Sequence, residues 1–326
     1  MKTFRNIARV SLVLCLVVVV LGAWVRLTDA GLGCPDWPGC YGKMVVPAGE
    51  HVDMTNPDFA ARPFDTGKAW REMIHRYAAG ILGLLVLVLA VMAWRRRHEP
   101  GQPVKAPLFL AGLILFQVIL GMWTVTLLLK PTVVTLHLLG GMATLGMLVW
   151  LSLPSRAAEP DGGATFRRLS ALALVVVIAQ ITLGGWVSTN YAALSCPDFP
   201  KCQGQWWPEM DFAHGFTLWH GLGVDYEGGI LHNSARVAIH VTHRVGAVVA
   251  LLAIGLAALW ARRRAPSAAG RLAGSLVGVA LLAQILLGIV MVKTSLPLAI
   301  AVAHNGLAAV LLASILNMNK VAWRAN

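Results

Sequence analysis

Neutral imidazole is the commonest side-chain ligand for transition metals, and four histidines recur in this sequence. His75-Arg76 returns as His243-Arg244 after 168 residues, and His137 returns as His304 after 167. Each lies about five to seven residues inside an apolar stretch, measured from the same end, which at 1.5 Å per residue is roughly 8 to 10 Å. A lone histidine in such a stretch usually meets a packing or hydrogen-bonding need, whereas four at matched depth point to ligation. Two facing imidazoles in each half, His75 with His137 and His243 with His304, would supply the axial ligands of a haem iron. Zinc fits less well, because it wants three or four clustered ligands and each half offers two.

The neighbours of these histidines differ between the halves. Glu72-Met73-Ile74-His75-Arg76 stands where the second half has His240-Val241-Thr242-His243-Arg244, so Glu72 is replaced by His240. Residues at i, i+3 and i+4 share a helical face, which turns Glu72 toward the cavity of His75 and makes His240 a competitor of His243 as ligand. A carboxylate at a membrane boundary is costly unless paired or used. Either Arg71 or Arg76 is its structural partner, or Glu72 is an acid/base or electrostatic group beside a reacting substituent. The long guanidinium side chains of Arg76 and Arg244 could reach haem propionates, or could snorkel to lipid headgroups.

Five cysteines complete the inventory. Cys15 is expected to be inert packing. Cys34-Pro-Asp-Trp-Pro-Gly-Cys40 recurs as Cys196-Pro-Asp-Phe-Pro-Lys-Cys202, a tight-turn composition. Outside the cytoplasm such pairs can close small disulfide loops; a redox role and, more remotely, a copper site are the alternatives. His51, His214, His220 and His232 have no repeated partner and read as ordinary loop residues. No dinucleotide, phosphate-loop or Ser-His-Asp pattern accompanies them, so any chemistry belongs to what the four histidines bind.

The elements that position these residues must cross a membrane. Of the 326 residues, 57% are apolar and 13% are charged, too few charges to cover a water-facing surface, which excludes a soluble enzyme. Eight segments are long enough to span, about 8 to 26, 71 to 94, 106 to 129, 132 to 153, 169 to 189, 236 to 261, 270 to 292 and 297 to 318. The termini and the joins between spans 2 and 3, 4 and 5, and 6 and 7 hold 16 basic residues (among them Arg95, Arg96, Arg97, Arg156, Arg262, Arg263, Arg264 and Arg324) against the three acids Glu99, Glu159 and Asp161. The other side holds 11 basic and 12 acidic residues. By the positive-inside rule both termini are cytoplasmic and the histidines lie near the outer face. The net +12 is thereby topology rather than a signal for nucleic acid.

The first span resembles a secretory signal, but Leu21-Gly22-Ala23-Trp24 at its end recurs within the chain as Leu183-Gly184-Gly185-Trp186, so a retained helix is expected. With Leu120-Gly121 and Leu287-Gly288, every odd span ends in Leu-Gly. Glycine there permits close approach of a helix or a flat ligand, and Trp suits the interface. The expectation is an all-α protein with two tandem four-helix bundles in parallel orientation, residues 1–160 and 161–326.

Glu72-x-x-His75-Arg76, His137, His243-Arg244, His304 and the Cys34 to Cys40 loop together resemble the haem A synthase family over nearly the whole chain. The resemblance implies oxidation of the C8 methyl of haem O to the formyl of haem A by successive hydroxylations, for haem-copper oxidases. It also implies substrate or product haem on His75 and His137, a resident haem b on His243 and His304, and Glu72 beside the reacting methyl. Cys34 and Cys40 correspond to the family's loop pair, and Cys196 with Cys202 to a pair found in some members. Removing four electrons from a methyl group requires iron and an external acceptor, and a haem O synthase and oxidase assembly factors are the implied partners. The rival readings are a di-haem quinone-linked electron-transfer cytochrome and a haem carrier; Glu72, present in one half only, favours the enzyme. The lack of a Ser- and Arg-rich leader favours a bacterial cytoplasmic membrane.

Overall fold

The computed structural model describes residues 2–53, 55–60, 62–153, 163–221 and 223–323. The expected boundary at 160/161, and Arg156, Glu159, Asp161 and Arg324 of the charge division, lie outside them. Among the described residues the chain is all helical: α1 (Lys2–Leu27), α2 (Pro57–Ala60), α3 (Thr66–Arg95), α4 (Lys105–Thr126), α5 (Pro131–Ser152), α6 (Gly163–Thr189), α7 (Phe212–Gly215), α8 (Asn233–Arg264), α9 (Ala268–Lys293) and α10 (Leu298–Ala322). All but α2 and α7 are long and apolar enough to cross a bilayer. Their outward faces carry large apolar side chains such as Leu84, Leu252 and Val279, each about two-thirds exposed, which water would not tolerate in such number and lipid does.

The helices outrun the apolar segments where charged ends continue the backbone pattern, as at Arg262 to Arg264 of α8. One boundary runs the other way. The third apolar segment extends to Leu129, but α4 stops at Thr126 and Leu128 and Leu129 take φ of +50° and +59°. Pro131 opens α5, and the chain must reverse before it in a left-handed turn, a conformation that leucine adopts at some cost. Ser295 and Leu296, before Pro297, make the same turn at φ +58° and +64°. Apolarity marks what lies in lipid and does not mark where the backbone bends.

Two compact units are present, Met1–Thr144 with Thr217–Ile230, and Leu145–Phe216 with Leu231–Asn326. In the first, α3 packs against both α1 and α4. Its 217–230 segment is held by Tyr226 N–H on the Leu128 carbonyl (3.1 Å), by Arg62 on Asp225 (2.6 Å) and Glu227 (2.5 Å), and by Lys130 Nζ against the Trp219 ring, 2.7 Å from its centroid. In the second unit α6 packs on α8, α8 on α9, α9 on α10 and α10 on α6, closing a four-helix ring. Phe166 stacks on Trp260, and buried Asn319 Nδ2 donates to the Ser170 carbonyl (2.8 Å), locking the end that bears the arginines.

Candidate functional site

Each of the four repeated histidines meets the Leu-Gly glycine of the preceding long helix. A Cβ added at Gly22 would lie 3.0 Å from His75 Cε1, at Gly184 3.1 Å from His243 Cε1, at Gly288 3.2 Å from His304 Cε1, and at Gly121 3.5 Å from His137 Cε1. The glycines are therefore seats that let an imidazole edge rest on helix backbone, a contact that a methyl would crowd at Gly22, Gly184 and Gly288 and would meet at ordinary distance at Gly121. His75 and His137 lie within electrostatic range of one another, as do His243 and His304. Nδ1 of His75, of His137 and of His304 is buried with no well-formed hydrogen bond among the described residues.

Glutamines complete these seats. Gln117, Gln180 and Gln284 each precede a Leu-Gly glycine by four residues; the first span has Val18 there. Gln180 Nε2 lies 3.1 Å from His243 Nδ1 and donates to the His243 carbonyl (3.0 Å). Gln284 Nε2 is instead 3.1 Å from Nε2 of His304. Gly140 and Gly246, three residues beyond His137 and His243, give the glutamines room, since a Cβ at either would collide with Gln117 or Gln180. The signal that would have found this is reciprocal: Gln-x-x-x-Gly on one helix and His-x-x-Gly on the next.

Glu72 is only 5% exposed and is fully engaged. Its Oε2 accepts Cys34 N–H at 3.0 Å and its Oε1 pairs with Arg76 Nη2 at 2.5 Å. Arg76 Nη1 donates to the carbonyls of Asp36 (3.0 Å), Pro38 (3.2 Å) and Gly39 (2.5 Å). In the second unit Arg244 does the same with Lys201 (2.8 Å), Cys196 (2.9 Å) and Asp198 (2.8 Å), while its Nε is buried without a partner among the described residues. His240, in the place of Glu72, turns Nδ1 to the Ala192 carbonyl at 2.9 Å. Both positions thus tie an interhelical loop to its helix, and both arginines cap the loop carbonyls.

The two cysteine loops are built alike. Cys34 is bonded to Cys40 and Cys196 to Cys202, and Cys15 is free and buried in α1. Asp36 accepts the N–H of Tyr41 (2.6 Å) and Gly42 (2.9 Å), and Asp198 accepts those of Gln203 (2.6 Å) and Gly204 (2.9 Å). Tyr41 and Gln203 sit at φ +50° and +54° and the glycines after them at +74° and +75°, so the same left-handed pair closes both loops. The Gly204 N–H, ahead of that of Gln203, holds the Asp198 carboxyl below its ordinary range.

Fold and site together define a polytopic, all-α membrane protein in which intramembrane histidines rest on glycines of neighbouring helices. Within that class the chain belongs to the cytochrome oxidase assembly protein family, whose model matches residues 5–316. It is 44% identical to the heme A synthase of Shewanella oneidensis, over 97% of this chain and 95% of that one. It is also similar to the heme A synthases of a Caulobacter species, at 29% over 96% of this chain and 93% of the relative, and of Halalkalibacterium halodurans, at 27% over 81% and 77%.

Proposed function

We infer that this protein catalyses the haem A synthase reaction, oxidising the C8 methyl of haem O to the formyl of haem A in a bacterial inner membrane. The observation that carries the reading is the set of four glycine-seated imidazoles in a chain that matches a heme A synthase over 97% of its length. Haem O is the substrate, held in the N-terminal half (1–160) by His75 and His137. The C-terminal half (161–326) holds a resident haem b through His243 and His304.

The donor set suits those groups. Neutral imidazole nitrogens are the usual axial ligands of low-spin haem iron, and each of the four imidazoles is seated by its ring edge on a glycine of the neighbouring helix. Bound haem b supplies one-electron redox chemistry for an oxidation that removes four electrons overall, with the final acceptor outside the chain. The Gln180 amide rests on Nδ1 of His243, and Nε2 of that ring would be free to ligate with the proton on Nδ1 and the amide oxygen turned toward it, while Gln284 would have to release Nε2 of His304 for that nitrogen to ligate. Arg244 Nε, buried without a partner among the described residues, would donate to a propionate, and Arg76 would have the corresponding role while bound to its loop. Glu72 would be the carboxylate beside the reacting methyl. Both termini are cytoplasmic and the sites lie near the outer face, in keeping with the arginine-bearing joins.

The test is to produce the protein with and without a source of haem O and analyse extracted haems by chromatography and mass spectrometry. A formyl-bearing haem that depends on haem O supply is expected. Folded protein that yields unmodified haem B under both conditions overturns the assignment.

A further inference from the structure

Two histidines that the sequence leaves as ordinary loop residues are drawn onto one carboxylate. His214 Nδ1 lies 2.6 Å and His232 Nε2 3.0 Å from the same oxygen, Asp211 Oδ2. The two rings meet edge to face with centroids 5.3 Å apart, and one ligating atom from each of the three residues falls within 4.8 Å of the other two. Asp211 and His214 come from the start of α7, and His232 immediately precedes α8.

Backbone contacts, not the side chains themselves, bring them together. Asp211 N–H donates to the Ser234 carbonyl (3.1 Å), Trp186 Nε1 donates to the Gly215 carbonyl (2.8 Å), and a Cβ at Gly215 would lie 2.8 Å from the Ala235 carbonyl oxygen. α7 is thus pinned on the first turn of α8 with its donors already aimed. Asp211 Oδ1 is occupied by the His214 N–H (3.0 Å), which caps α7 and leaves Oδ2 and the two ring nitrogens converging on one point. His214 and His232 are more than half exposed at their side chains, so water can fill further coordination positions.

We propose that Asp211, His214 and His232 form a binding site for a divalent first-row transition-metal ion of the zinc or copper(II) kind, on the loop before α8 and separate from the four intramembrane histidines. Two imidazoles and one carboxylate with open positions are a donor set suited to such ions. Metal-ligand bonds of about 2.0 to 2.1 Å at angles between 90° and 110° place donors about 2.9 to 3.4 Å apart, so His232 already has a suitable distance to Asp211 Oδ2, His214 must move outward by roughly half an ångström, and the rings need only small shifts to close the triangle. The ion replaces protons now shared between ring nitrogens and Oδ2 and staples α7 to α8.

The experiment titrates the full-length protein, purified in detergent and stripped of metal, with Zn2+ alone, and reads affinity and stoichiometry by calorimetry and elemental analysis. Wild-type protein is expected to bind one Zn2+ that His214→Ala and His232→Ala each weaken by at least about tenfold. Asp211→Asn, whose amide oxygen still accepts the His214 N–H, is expected to weaken it as well without unfolding α7. Melting profiles and haem content identify variants that keep the fold. Equal Zn2+ binding by wild type and any such folded variant, or no binding by wild type, overturns the proposal.

Discussion

The Glu72 carboxylate accepts the N–H of Cys34 at 3.0 Å, so the acidic group that the second half replaces by His240 anchors a disulfide-closed loop to a membrane helix. The loop anchor and the proposed role in the chemistry therefore fall on one side chain. In the second half His240 anchors the corresponding loop through the Ala192 carbonyl without offering a carboxylate.

Glu72→Gln separates those roles, because the amide oxygen still accepts from Cys34 while the charge is gone. Haem content is expected to stay near that of wild type in Glu72→Gln, with formyl product reduced by about 10² or more, the usual scale of a lost acid/base group. Glu72→Ala is expected to lose product and to loosen the 34–40 loop. Mass spectrometry of extracted haems reads both, and full product formation in Glu72→Gln removes the carboxylate from the chemistry.

The glycine seats predict a graded series. Alanine at positions 22, 184 and 288 places a methyl 3.0 to 3.2 Å from an imidazole carbon, whereas at 121 the distance is an ordinary 3.5 Å. Overpacking of this kind costs about 1 to 3 kcal/mol or displaces the ring. Haem per protein, measured by absorbance, is expected to fall in Gly22→Ala, Gly184→Ala and Gly288→Ala and to hold in Gly121→Ala. Equal occupancy across the series would mean that the seats do not position the ligands.

Ligand choice on α8 is testable by comparing neighbours. His243→Ala and His304→Ala are expected to abolish the low-spin haem b spectrum. His240→Ala should keep that spectrum and instead destabilise the loop, since the Ala192 carbonyl loses its partner at a cost of about 1 to 3 kcal/mol. A spectrum lost only in His240→Ala reverses the assignment.

Acid should open the second cysteine loop. The folded pKa of Asp198 is depressed by the amides of Gly204 and Gln203, so its stabilising contribution is fully present above the unfolded value and disappears as pH falls through the folded one. Hydrogen-exchange protection of the Gln203 and Gly204 amides is expected to hold at neutral pH and to decline below about pH 4. Asp198→Ala should lack that protection at every pH. Protection in wild type that is unchanged down to pH 2 contradicts this role.

Much of the architecture was legible because a bilayer imposes simple rules. A span needs about 20 apolar residues and a helix rises by a fixed 1.5 Å per residue, so eight membrane-length helices followed from counting. Recurrence of Cys-Pro-Asp at an offset of 162 likewise announced two loops of one design. The break at Leu128 and Leu129 was hidden, because a turn made by leucines at positive φ leaves the apolar pattern intact.

Tertiary structure decided which groups meet across helices. Leu-Gly was visible as a motif, but its meeting with imidazole depends on which face of one helix packs on the next, and helical periodicity alone leaves that pairing open. Arg76 and Arg244 read from the sequence as partners for propionates or lipid headgroups, and the fold gives each of them three loop carbonyls. Asp211, His214 and His232 carried no repeat or spacing that announced them; they converge because α7 docks its backbone on the first turn of α8. The sequence by itself set the membrane-spanning character and the helices, since those depend on length and composition. Contacts between residues distant in the chain were decided only when the helices packed, since packing selects among faces that composition leaves equivalent.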